Sequence, residues 1–152
     1  MNISIVPMAE EHLDTIWNIE QQAHSHPWKE SMIRELNSRC AIHHSLLYDG
    51  KVVGYFYAQN VVGEITLLNI AIAPELQGNG LGKQLLQFLL DYGEAQSAES
   101  IWLEVRESNQ AARHLYQSLD FNEIDRRIGY YPSTNGKEDA IIMSCYLSGF
   151  SF

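Results

Sequence analysis

Long apolar runs are missing from this chain. No stretch exceeds about five apolar residues without a polar interruption. A membrane-spanning helix needs about 20, so a helical membrane protein is not expected. Cysteine is scarce, with Cys40 and Cys145 the two in the sequence. That argues against a disulfide-stapled scaffold and suits reduced thiols in the cytoplasm. Bases are few: 10 Lys and Arg stand against 19 Asp and Glu, for a formal charge of −9. Broad binding to nucleic-acid backbone is therefore not expected. The opening MNISIVPMAEEH has neither a basic head nor an apolar signal core. No internal repeat or low-complexity block stands out.

What is present suits one folded unit. With 152 residues, 45% of them hydrophobic, the chain reads as a single domain over residues 1–152. A chain of this length buries roughly 70% of its unfolded surface without a staple. The acidic excess suits a cationic partner such as a basic protein tail. An ordinary soluble acidic surface accounts for it equally well.

The periodicities alternate between strand and helix. Ile3 to Val6 reads as a short strand. Glu10 to Ala23 carries Leu13, Ile16, Trp17 and Ile19 at helical spacing. Pro27 precedes a helix at about Trp28 to Leu36, with Met32, Ile33 and Leu36 expected inward. Asp49-Gly50 is a tight-turn signal between Ser45–Tyr48 and Val52–Gln59, predicting a hairpin. Further strands are expected from Gly63 to Ile72, Ile101 to Val105, Phe121 to Ile128 and Asp139 to Leu147. Helices are expected from about Gly80 to Ala95 and, capped by Ser108 or Asn109, through Leu119. The order predicts an α/β domain, a mixed twisted sheet with helices on both faces.

The segment APELQGNGLGKQLLQFLL, from Ala73 to Leu90, carries glycines at 78, 80 and 82 between a strand and a helix. Glycine permits positive φ and close backbone approach. Successive amides can form an anion nest, to which the helix adds its positive end. Leu81, Leu85, Leu86, Leu89 and Leu90 form the buried side of that helix. Lys83, in its first turn, fits either a bound anion or solvent. The spacing is neither that of a Walker loop nor that of a dinucleotide fingerprint.

Gln77-Gly78-Asn79-Gly80-Leu81-Gly82 resembles the Q/R-x-x-G-x-G/A coenzyme loop of the GNAT superfamily of N-acetyltransferases. The flanking LLNIAIAPELQ and IWLEVRESNQAARHLYQSLDF match that family in order and spacing. Trp102-Leu103-Glu104-Val105-Arg106, Tyr130-Tyr131-Pro132 and Glu138-Asp139-Ala140-Ile141 are similar to its protein-terminus subgroup. The resemblance implies the acyl-coenzyme A N-acyltransferase fold and acetyl-coenzyme A as acetyl donor, without a metal. It further implies transfer to a protein N-terminal α-amine, with the N-terminal alanine of ribosomal protein S18 or a similar basic protein as partner. By the same resemblance, Gly78, Asn79, Gly80, Leu81, Gly82 and Lys83 bind the pyrophosphate. Ile70, Ala71 and Ile72 hold the pantetheine arm and acetyl group, and Asn109 contacts the coenzyme. Glu20, Trp28, Tyr130 and Tyr131 are expected around the acceptor. Two positions depart from the family pattern: Asp120, where relatives usually have glycine, and Gly129, where asparagine is expected.

Acetyl transfer to an amine needs a neutral amine and a proton for the departing sulfur. From local sequence, Glu104 reads as a base or as a carboxylate paired to Arg106, with which it shares a strand face. Tyr116 reads as part of the inward stripe Ala112, Leu115, Tyr116 and Leu119, or as an acid. The resemblance assigns Glu104 as general base and Tyr116 as proton donor. His24-Ser25-His26 lacks further ligands at motif spacing, so no metal is expected. Two other functions fit the same residues: acetylation of lysine or small amines, and a non-catalytic acyl-coenzyme A sensor. Oligomeric state is left open.

Overall fold

The computed structural model describes residues 2–147. The chain falls into two compact units, one of Met1–Val61 with Leu68–Leu89, the other of Val62–Leu67 with Leu90–Phe152. Residue 1 and residues 148–152 of the expected single-domain span lie outside the described residues.

In the first unit, β1 (Ile3–Pro7), β2 (His44–Tyr48) and β3 (Lys51–Val61) pair antiparallel in that order. β3 in turn neighbours β4 (Glu64–Ile72), whose second half belongs here. Asp49 and Gly50 both take positive φ, +49° and +84°, the two-residue turn expected between alternating runs. A 3-10 turn at Glu10–His12 leads into α1 (Leu13–Ala23). Leu13, Ile16, Ile19 and Glu20 form its buried side. The three apolar members pack with Ile33, Tyr55, Tyr57, Ala71 and Ala73. Each such side chain contributes about 1.5–3 kcal/mol by leaving water.

The helix expected over Trp28–Leu36 is a single turn, α2 (Glu30–Ile33). Ile33 is fully buried, but Met32 is 47% exposed, contrary to the expectation that both face inward. One turn offers one apolar position, and adjacent residues point about 100° apart. α3 (Leu81–Ala95) matches its expected span.

In the second unit, the first half of β4 pairs parallel with β5 (Ser100–Arg106). β5 pairs antiparallel with β7 (Gly136–Tyr146), and β7 with β6 (Asn122–Ser133). Parallel and antiparallel ladders together make the sheet mixed. Ile101, Leu103 and Val105 are buried while Glu104 is exposed, as strand alternation dictates. α4 (Gln110–Ser118) begins at Asn109, whose side chain accepts the Ala112 N–H. It ends at Asp120, φ +68°. Phe121 N–H bonds the Tyr116 carbonyl and Asp120 N–H that of Gln117, the pattern of a Schellman stop. Asp120 thus takes the left-handed conformation that favours glycine at a helix end.

The final hairpin is longer than expected. β6 runs on through Tyr130, Tyr131 and Pro132, with register breaks between Glu123 and Asp125 and between Arg127 and Tyr131. Gly129, at φ +61°, sits in the second break and absorbs it. A strand interrupted this way shows no continuous period-2 pattern, so its end was placed too early.

Candidate active site

The first unit carries the glycine turn and the strand expected to hold the donor. Gly78 and Gly80 adopt φ +83° and +78°, and nothing lies within 4 Å of a Cβ built on either. Their backbone is therefore open, directly ahead of the 15-residue α3. The first N–H groups of a helix have no intrahelical partner; here the ladder starts with Gln84 N–H on the Gly80 carbonyl. Gly78, Asn79 and Gly80 are exposed, Leu81 buried, Gly82 half-buried and Lys83 exposed. Asn79 braces the turn by donating to the Leu76 carbonyl, and Gln77 by donating to that of Ile72. An open run of amides at a helix start, with a lysine in its first turn, fits a pyrophosphate.

Upstream of the turn, Ile70 is half-buried, and Ala71 and Ile72 are buried. A Cβ on Gly54 would stand 3.0 Å from the Ala71 carbonyl oxygen and 2.6 Å from the Ile72 side chain. Gly54 therefore lets β3 approach β4 where the acetyl arm is expected. A lone glycine inside an apolar strand was the available signal for it.

Glu20 is 1% exposed and is the hub of a polar network. Its Oε1 accepts from Tyr55 Oη at 2.6 Å and Asn69 Nδ2 at 2.9 Å. Its Oε2 accepts the Trp28 N–H at 2.9 Å. His24 Nε2 donates to Asn69 Oδ1 at 2.9 Å and lies 3.6 Å from Glu20 Oε1. Burial, then the hydrogen bond to Glu20, pushes the Tyr55 phenol far above its ordinary value. Glu20 thus ties the segment after α1 to β4, and Trp28, half-buried beside Tyr57, is held at its backbone. Tyr55 and Asn69 carried no signal in the sequence beyond their strand positions.

The second unit carries the candidate proton-transfer groups. Glu104, on β5, does not pair with Arg106. Its Oε1 accepts from Arg127 at 2.8 Å, and Tyr131 Oη lies 3.4 Å from its Oε2. Arg106 instead donates to Glu138 at 2.9 Å and to the Pro132 carbonyl at 2.7 Å. Its guanidinium also covers the Tyr131 ring at 4.4 Å. Hydrogen bonds from Ser108 and Arg106 hold the Glu138 carboxyl below its ordinary range. Arg127 stacks on Tyr130, 3.9 Å from the ring centroid. Tyr130 and Tyr131 meet edge to face at 5.0 Å. The break in β6 had hidden Arg127 as the partner of Glu104.

Tyr116 is 5% exposed and packs against Phe121. Burial pushes its phenol up to about 12. No buried side-chain oxygen among the described residues lacks a partner unless solvent reaches it. Asn109 uses its Oδ1 as the α4 cap. Burial raises the Cys145 thiol, which suits packing, and Cys40 is exposed. Among the described residues, no three His, Cys, Asp or Glu groups are placed to hold a metal ion. No helix among them is long and apolar enough to cross a membrane.

Residues 13–121 match the acetyltransferase (GNAT) family, and the chain belongs to that family. It is an acetyltransferase of the mixed α/β acyl-coenzyme A N-acyltransferase fold, with acetyl-coenzyme A as donor. The chain is 43% identical to the [ribosomal protein bS18]-alanine N-acetyltransferase of Escherichia coli strain K12, over 90% of this chain and 92% of that one. It is 41% identical to the enzyme of that name from Haemophilus influenzae, over 88% and 92%. The crystal structure of the ribosomal-protein-S18-alanine N-acetyltransferase from Escherichia coli superposes with a TM-score of 0.92, covering 97% and 95% of the two chains. Ard1 from Thermoplasma volcanium, 20% identical, shares the fold at a TM-score of 0.83 over 97% and 99%.

Proposed function

We propose that this enzyme acetylates the N-terminal α-amine of a protein, with the N-terminal alanine of ribosomal protein S18 as its acceptor. The identity to bS18-alanine N-acetyltransferases over nine-tenths of the chain supports that acceptor. A ribosomal-protein acceptor places the reaction in the cytoplasm. The family match draws on both compact units, which supports one N-acetyltransferase domain over residues 1–152.

The observation that carries the chemistry is the contrast between Glu104 and Tyr116. The Glu104 side chain is 34% exposed and reachable by an acceptor. Tyr116 is buried and keeps its proton up to about pH 12. An accessible carboxylate can take a proton, and a buried, protonated phenol can give one. Bound acetyl-coenzyme A supplies the activated acetyl thioester. The amides from Gly78 to Lys83 hold its pyrophosphate, and Ile70, Ala71 and Ile72 align its arm; Asn109 adds a contact from the start of α4. Glu104 takes the proton of the attacking amine, directly or through water. Tyr116 gives its proton to the departing sulfur. Tyr130 and Tyr131, beside Glu104, shape the acceptor site; Glu20, buried in the first unit, holds the Trp28 backbone there.

The reading favours α-amines on elementary grounds. At pH 7 roughly a tenth of α-amines are neutral, against fewer than about one lysine in a thousand. A partly solvated carboxylate suffices for the former. The acidic surface, at −9 overall, aids capture of a basic ribosomal tail. Replacing Glu104 by Gln, with turnover on an S18-terminus peptide followed across pH, tests the scheme. Slower turnover, worst at low pH where neutral amine is scarce, supports it. An unchanged profile contradicts it.

A further inference from the structure

We propose that Arg127 reads the first carbonyl group of the acceptor, and so selects an N-terminal residue over a lysine side chain. This rests on the reading of Glu104 as the group that receives the acceptor amine.

Arg127 donates to Glu104 Oε1 at 2.8 Å, so it occupies one oxygen that an incoming amine would approach. The two side chains are 47% and 34% exposed. Ion pairs this exposed are weak and exchange readily with solvent or ligand. The guanidinium does not depend on Glu104 for its position, because it also lies 3.9 Å from the Tyr130 ring centroid. When an amine displaces it from Glu104, stacking keeps it close by with its donors still facing the same space. Arg106, the other nearby cation, is committed to Glu138 and the Pro132 carbonyl. Tyr131, the remaining polar neighbour, already faces the second oxygen of Glu104.

The acceptor supplies the matching acceptor atom. In an N-terminal residue the amine nitrogen and its own carbonyl oxygen are separated by bonds of about 1.46, 1.52 and 1.23 Å. That keeps them roughly 2.7–3.6 Å apart, a span that includes the 2.8 Å between the paired groups in the free enzyme. An amine on Glu104 therefore brings a carbonyl oxygen to the guanidinium it displaced. A lysine ε-amine has only methylenes at that distance. It would break the Arg127 pair and leave the guanidinium without a replacement.

The test compares two acceptors. One is an alanine-starting peptide of the S18 terminus. The other is the same peptide with its first peptide bond replaced by an (E)-alkene, which removes the carbonyl and keeps the shape. Steady-state kinetics at saturating acetyl-coenzyme A are measured for wild type, Arg127→Gln and Arg127→Lys. Arg127→Gln is expected to raise KM for the amide peptide about tenfold, the loss of one charge-assisted hydrogen bond. Its kcat should stay within about twofold, and the alkene peptide, which has no carbonyl to lose and no Arg127 pair left to break, should show a KM equal to or lower than that with wild type. Arg127→Lys should recover part of the loss, since it keeps the charge but not the fork; it carries the same comparison if Arg127→Gln does not fold. Equal effects on both peptides, or no effect on either, overturn the proposal. Glu104→Gln is run in parallel. Wild-type turnover in that variant overturns the base assignment instead, while the amide-to-alkene contrast still reports on Arg127.

Discussion

Tyr55 donates its hydroxyl to Glu20 at 2.6 Å, inside the first unit, where neither side chain exceeds 1% exposure. A buried carboxylate is tolerated when its oxygens are met by donors. Here Tyr55, Asn69 and the Trp28 amide supply them. Tyr55→Phe should cost about 1–3 kcal/mol, and Glu20→Leu more, because it strands several donors at once. Urea unfolding measures both. Midpoints equal to wild type would contradict the view that this network holds β4 in place.

The glycine turn is expected to govern donor binding. Gly80→Val forces a β-branched residue into φ +78°, a region L side chains rarely occupy, at about 1–3 kcal/mol. The open amides ahead of α3 would then be lost. Calorimetry with desulfo-coenzyme A should show affinity at least about tenfold weaker. Unchanged affinity in a folded variant would move the pyrophosphate elsewhere.

Gly54 lets β3 lie close to β4 at Ala71 and Ile72. A methyl group there meets the Ala71 carbonyl at 3.0 Å, and overpacking of this kind costs about 1–3 kcal/mol. Gly54→Ala should lower both the melting midpoint and acetyl-coenzyme A affinity. A loss of stability with affinity intact would show that β4 adjusts without disturbing the donor.

His43 and His44 are buried, and burial lowers both below the ordinary histidine value. The His43 Nδ1 lone pair also receives the Ala58 N–H at 3.1 Å, a bond that a proton on Nδ1 would break. A depressed folded value means that the unfolded chain binds protons first. The stability from these groups is present above about pH 6.5 and is lost as pH falls through the folded values. Melting followed from pH 8 downward should therefore decline below about pH 6.5. His43→Asn should flatten that decline; an unchanged slope would remove His43 from it.

Most of the architecture was legible because its signals are local. The Asp49-Gly50 turn, the leucine face of α3 and the alternation of β5 each follow from one short segment. The end of α4 near Leu119 was readable for the same reason. What escaped depends on distant partners. The segment ahead of α2 is fixed by the Trp28 amide on the Glu20 carboxylate, a contact that no helical periodicity reports. Val62 takes φ +51° although a β-branched residue disfavours it. Glu104 was visible as a carboxylate between apolar residues, but its partner was not. Arg106 was two residues away in sequence, whereas Arg127 reaches Glu104 through a strand whose register breaks at that point.

Tyr116 links chemistry to alkaline stability. Burial raises its phenol from an unfolded value near 10 to about 12. Its stabilisation is complete below about pH 10 and fades as pH rises toward 12. Tyr116→Phe should make the alkaline decline shallower and leave the part due to the other buried phenols, Tyr55 and Tyr57. It should also slow acetyl transfer while leaving desulfo-coenzyme A binding near wild type. Normal turnover in this variant would take the proton donor away from Tyr116.

The central claim is the identity of the acceptor nitrogen. The direct measurement is mass-spectrometric localisation of the acetyl group on an S18-terminus peptide that also contains an internal lysine, beside the same peptide with its terminus blocked. The alanine α-amine of the first peptide should be acetylated, and the second should give little product. Added salt should slow capture and leave the site of modification unchanged. Equal acetylation of the blocked peptide, on lysine, would contradict the α-amine assignment.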